Sequence, residues 1–414
     1  MAKTKTKSHT RSKSKSDSVL HQTDGHIKSK PAQKSIEDLL TEAASFLEQS
    51  QPELALPLAE EALRRLEAER TATPVQPTID DLLQLTAQGK PTLPTTLALA
   101  ADISLALGDD VTARNRFEDA VRLDPDGAVV SADPLLWLAQ LSEAGGKESI
   151  LFFERGCQVL RNEIEVLQES ITEEDDEGTA VLSERRAKLA DALCGMTEVY
   201  MTDLSWEDDA EKICEAYVTE AVAVCPDRLS AGVLQTLASV RISQERLEDA
   251  REALRRSVNL WKDLPVEADH EARPDFATRV SLSRLLMEVE AEMEALAVLE
   301  LLVREEDESV EAWYLGGWCQ VLLSQKEGLA ENDKQKLQEQ ATTWLNTCLR
   351  HYNAQEYEDD RLREHATELK HGLNIALGID GDEDAWEDED EDVQDGEEIE
   401  FNGFDDADGD VDMT

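Results

Sequence analysis

Few residues in this 414-residue chain have the type and spacing to do chemistry. Cys157, Cys194, Cys214, Cys225, Cys319 and Cys348 could hold a metal or form disulfides, but none sits in a CxxC spacing and each falls within an apolar helical pattern. They read as buried small hydrophobes of a reducing compartment. Of the seven histidines, His270 lies in HEARP, which lacks the second histidine of a zinc-binding HExxH helix. Gly145-Gly146 and Gly316-Gly317 belong to no GxxxxGK phosphate loop, and read as a turn and a close helix contact. Asp380, Asp382, Asp384 and Glu391 match the first, third, fifth and last places of a calcium-binding loop, yet Ala385 stands where its sharp turn requires glycine. That segment reads as an unspecific attractor of cations. With no nucleophile, base and orienting group together, the sequence predicts no enzyme, no cofactor and no metal.

What remains are side chains spaced for recognition. In EAWYLGGW, Glu311, Tyr314 and Trp318 fall three and four residues apart, on one helix face. A cation over an aromatic ring gains about 0.5 to 2 kcal/mol, so Tyr314 and Trp318 beside Glu311 suit a basic peptide. The alternative is that both pack against a C-terminal helix. Trp313 takes a position that packs between paired helices.

The charge favours a basic partner. Of a formal net charge of −50, residues 380–414 carry nineteen acidic residues and no Lys or Arg, while residues 1–34 carry nine Lys or Arg against Asp17 and Asp24. The body between them keeps about −38. Such a body repels nucleic-acid phosphates and attracts a cationic protein surface, so no direct nucleic-acid contact is expected. No apolar run approaches the roughly 18 residues needed to cross a bilayer, and no apolar region follows the polar N-terminus. A soluble, intracellular protein without a membrane partner is expected. KTKTKSHTRSKSKS reads as part of a disordered basic arm over residues 1–34, fitting nuclear targeting, an RNA contact or a solubilising end. Residues 379–414 read as a disordered acidic tail.

The elements that must position these groups are helices, since β-branched alternation is nearly absent from residue 36 to 378. In ADISLALGDDVTARNRFEDAVRLDP, two amphipathic helices meet at Gly108-Asp109, and the second carries Ala113, Phe117 and Ala120 before Pro125. This resembles the tetratricopeptide repeat, whose second helix reads A-x3-F-x2-A. The same spacing gives Ala55, Ala59 and Ala62; Ser149, Phe153 and Gly156; Cys214, Val218 and Ala221; Ala250, Leu254 and Ser257; Ala295, Leu299 and Leu302; and Ala341, Leu345 and Cys348. Small residues at the first and third places let a neighbouring helix approach, and the bulky middle residue fills the gap. The predicted fold is all-α: a tetratricopeptide-like helical-hairpin solenoid of about seven irregular repeats over residues 35–378, with a C-terminal capping helix from about Glu356 and disordered ends. Irregularities are expected as a link over 70–94, an acidic insert over 171–180 and a lengthened turn over 324–337. Such an array has a concave surface lined by its first helices.

Repeats of this kind that clamp the C-terminal carboxylate of Hsp-type chaperones need Lys, Arg and Asn on those helices. Here the clamp positions read Ala98 and Asp102, Gln235 and Ser239, Val280 and Arg284, Tyr314 and Trp318, so the clamp is absent. The candidate groove residues are Asp102, Arg284, Glu311, Tyr314 and Trp318.

SIEDLLTEAASFLEQSQPELALPLAEEALRRL, the WYLGGW segment and the acidic tail together resemble the fungal dedicated assembly chaperones of large-subunit ribosomal protein four. That resemblance implies a chaperone of cytoplasm and nucleus; a monomer is expected. It would shield the long basic internal loop of its ribosomal protein client and escort the client to the pre-60S particle. The other class open to an acidic repeat array is a histone-chaperone-like protein or general adaptor for another basic client.

Overall fold

The computed structural model describes residues 34–72, 77–171, 175–264 and 272–379. The expectations for the basic arm up to residue 33, for the acidic tail with its calcium-loop spacing, and for His270 lie outside the described residues. Among the described residues there is no strand, and no helix is long and apolar enough to cross a membrane. The helices fall into two compact units, one ending at Thr236 and the other beginning at Leu237.

The first unit holds α1 (Ile36–Glu48), α2 (Pro52–Ala72), α3 (Ile79–Ala87), α4 (Leu93–Ala106), α5 (Asp110–Leu123), α6 (Asp133–Gln140), α7 (Gly146–Ser170), α8 (Asp176–Met201) and α9 (Ala210–Val224). Helix α10 (Ala231–Ser243) carries the boundary. The second unit continues with α11 (Leu247–Asn259), α12 (Phe276–Glu288), α13 (Glu292–Glu305), α14 (Val310–Ser324), α15 (Glu331–Ala354) and α16 (Asp360–Leu377). Within each unit a helix packs mainly against its neighbours in sequence; only the short α3 is skipped, α2 resting on α4. This is the arrangement of tetratricopeptide-like hairpins, in which no pair can cover its own apolar face.

The three-residue sets lie on the second helices α2, α5, α7, α9, α11, α13 and α15, and every member is buried. Local chemistry starts and ends the helices of both units. Ser35, Thr78 and Thr92 form capping boxes at α1, α3 and α4, while Asp109 and Asp275 accept hydrogen bonds from the Thr112 and Thr278 amides at 3.0 and 2.7 Å. Most hairpin turns place a positive-φ residue just after the first helix. Gly108 supplies it after α4 at φ +75°, but Glu245 and Glu290 hold φ +59° and +60° after α10 and α12. Buried Asp124 organises the link from α5 to α6, accepting from the amides of Ala128, Val129 and Val130 at 2.8 to 2.9 Å.

In the second unit, buried Arg279 forms a bidentate pair with Glu305 at 2.7 Å, and its guanidinium lies 5.8 Å from the Trp261 ring centroid. The Gly316-Gly317 pair serves close packing. A Cβ at Gly316 would meet Trp344 at 2.0 Å, and one at Gly317 would meet Leu345 at 2.7 Å. Glycine thus lets α15 lie against α14, and Trp344 in turn meets Trp313 edge to face at 4.7 Å.

The expected irregularities are more helical than the sequence pattern indicates. The link over 70–94 contains α3, and residues 331–337 of the lengthened turn begin α15. Residues 176–180 of the acidic insert are the start of α8, whose first turn is capped by Asp175 at 2.9 Å to the Gly178 amide. Acidic residues there favour the helix by facing its positive end. The capping helix begins at Asp360, later than expected, because Glu356 adopts φ +50° in the preceding turn.

Candidate functional site

The first helices of successive hairpins in the first unit, α4, α6 and α8, bring Asp102, Asp133 and Lys188 together. Lys188 Nζ donates to Asp133 Oδ1 at 2.7 Å. Asp102 is half-buried; burial first, then repulsion from Asp133, raises its carboxyl to about 7 against the attraction of Lys188. One helical face of α8 continues the pattern, with Lys188, Asp191 and Glu198 spaced three and seven apart. Asp191 and Glu198 both reach solvent, yet surrounding protein pushes their carboxyls upward. A guanidinium or ammonium brought to these carboxyls favours their charged form.

In the second unit the sequence-predicted residues divide into a pair and a cluster. Arg284 on α12 is ion-paired with Glu311 on α14, so its charge is neutralised within the chain. Tyr314 and Trp318 are half-buried with ring centroids 5.9 Å apart. Both meet His365 of α16, at 5.8 and 5.1 Å between centroids, and the Tyr314 hydroxyl lies 2.6 Å from His365 Nδ1. Burial pushes the Tyr314 hydroxyl up, which keeps it a neutral hydrogen-bonding group. These aromatics therefore pack against the C-terminal helix and retain partial exposure. Beside them a recess of about 500 Å³ is lined by Glu306, Asp307, Glu308, Glu311 and Tyr357.

Asp102 lies in one unit and Arg284, Glu311, Tyr314 and Trp318 in the other. Sequence reasoning missed Asp133, Lys188, Asp191, Glu198 and His365. The three-and-seven spacing on α8 could have revealed its face, but an acidic insert was expected where that helix begins. His365 lies in the polar run RLREHATELK of the capping helix, yet its ring faces α14. Val280, at a clamp position, is only 3% exposed and belongs to the core. All six cysteines are free and buried. Burial raises Cys194, Cys319 and Cys348 to about 12, so these thiols are unreactive.

These hairpins and their acidic, aromatic first-helix faces define a tetratricopeptide-type repeat protein. No family model matches the chain. It is 38% identical over 422 residues to the probable assembly chaperone of rpl4 from Emericella nidulans, covering 97% of both chains. It is 32% identical over 303 residues to the Schizosaccharomyces pombe protein of the same description, covering 70% of this chain and 84% of the relative. The solved structure of the assembly chaperone of RpL4, Acl4, residues 1–338, aligns with a TM-score of 0.61 at 41% identity, over 71% of this chain and 98% of that one. The chain belongs to the family of assembly chaperones of rpl4.

Proposed function

We propose that this chain is a dedicated chaperone that binds newly made rpl4, a basic large-subunit ribosomal protein, and shields its basic internal loop until assembly. The observation that carries the reading is the set of solvent-reaching carboxylates on first helices, led by Asp102, Asp191 and Glu198, whose carboxyls the surrounding protein pushes upward. A segment disordered until it meets ribosomal RNA would otherwise bind RNA unspecifically or aggregate. An acidic face competes for the same cationic side chains by charge alone. Asp102, Glu311, Tyr314 and Trp318 are the proposed client contacts, with Arg284 holding Glu311 in place. Ribosomal RNA, with its higher charge density, then displaces the chaperone at the pre-60S particle without nucleotide hydrolysis. In this reading the protein is a monomer and not an enzyme, and it escorts its client from cytoplasm to nucleus.

The test is affinity purification from cells followed by titration of the purified pair. Rpl4 co-purifies, and its affinity falls at least tenfold between about 50 and 500 mM salt, with no effect of added ATP. Recovery of histones in place of rpl4, or an affinity indifferent to salt, overturns it.

A further inference from the structure

The C-terminal helix α16 would be a passive lid if it only covered apolar surface, as Leu362, Ala366 and Leu373 do. His365 does something else. It stands on the face of α16 toward α14, between two aromatic rings that are themselves only half-buried. Its plane is inclined at 72° to Tyr314 and 84° to Trp318, so the imidazole forms a wall across two rings that incline by 37° to each other. The three centroids make a nearly equilateral triangle with sides of 5.9, 5.8 and 5.1 Å. A cation about 4 Å above that triangle lies about 5 Å from every centroid, inside the roughly 6 Å range of a cation–π contact.

The surrounding charge favours a cation, although Glu311, one turn before Tyr314, is itself paired with Arg284. The neighbouring acidic recess offers counter-charges for basic residues flanking a bound one. A planar, weakly hydrated guanidinium stacks on aromatic faces better than a compact ammonium. We infer that Tyr314, Trp318 and His365 form a binding site for an arginine side chain of the client, and that α16 is therefore a working wall of the client site. This rests on the reading of the chain as an rpl4 chaperone.

The site is tested with the full-length chain and an array of peptides of about 20 residues covering rpl4, each made also with lysine in place of arginine. At least one arginine peptide binds, and its lysine version binds about 3- to 30-fold more weakly. His365→Gln removes that preference while the thermal unfolding midpoint is unchanged; His365→Phe, which keeps a ring, retains most of it. Full arginine preference in His365→Gln, or an equal loss for both peptides, overturns the inference and leaves the chaperone reading intact. If neither whole rpl4 nor any peptide binds the wild-type chain, both fail together.

Discussion

Replacing Asp102 by asparagine should make the protein more stable and its binding weaker. The ordinary aspartate value is 3.8, and burial beside Asp133 raises Asp102 to about 7. The folded state therefore holds this proton more tightly than the unfolded state, so stability falls as pH rises from 3.8 and levels off above 7. At about 1.4 kcal/mol per pH unit, that interval sets an upper limit near 4 kcal/mol; with water reaching a half-buried group, about 2 kcal/mol is expected. Asp102→Asn removes the charge and keeps the shape. In urea unfolding at pH 8 it should gain about 2 kcal/mol, at pH 5 less than half of that, and below 3.8 nothing. The same substitution should weaken client binding about tenfold at pH 8, because one carboxylate is lost from the face. If Asp102→Asn is no more stable than wild type at pH 8, Asp102 is not a desolvated anion and the electrostatic argument for this face collapses.

Other consequences concern the frame that carries the site. Gly316→Ala places a Cβ at 2.0 Å from Trp344 and should destabilise by about 2 kcal/mol or more, read as a lower unfolding midpoint. Glu305→Gln leaves the buried Arg279 guanidinium without its counter-charge and should destabilise by about 3 kcal/mol. Because Arg279 holds the Glu305 carboxyl below its ordinary value, that stabilisation is complete at neutral pH and is lost as pH falls through the lowered value. Urea titrations at pH 7 and 3 should show wild type and variant converging in acid. Glu290→Gly relieves a left-handed backbone at φ +60° and should raise stability by about 0.5 to 1 kcal/mol, whereas the same change at exposed, helical Glu288 should not.

The hairpin spacing was legible because small–large–small sets are imposed by packing alone, and all seven sets are buried where the pattern placed them. The helix inside the 70–94 link escaped notice because flanking prolines hide a capping box, Thr78 with Asp81. On the candidate site, one-face spacing identified Glu311, Tyr314 and Trp318, but His365 lies 51 residues beyond Tyr314 and only the docking of α16 brings it near. Arg284 shows the other limit. Its position on a first helix was readable, but its neutralisation by Glu311 depends on how α12 lies beside α14. Asp133 and Lys188 are brought together by α6 and α8, whose phases the irregular connections before them obscured.

The central claim is that the client is held on the folded acidic face, with the acidic tail as an auxiliary. Isothermal titration of purified rpl4 into three forms of the full chain tests it: wild type, the double charge reversal Asp102→Arg with Asp191→Arg, and a chain lacking residues 380–414. The account predicts that charge reversal weakens binding more than about 100-fold while tail deletion weakens it less than about tenfold. The opposite order, with binding surviving reversal and lost with the tail, would contradict it.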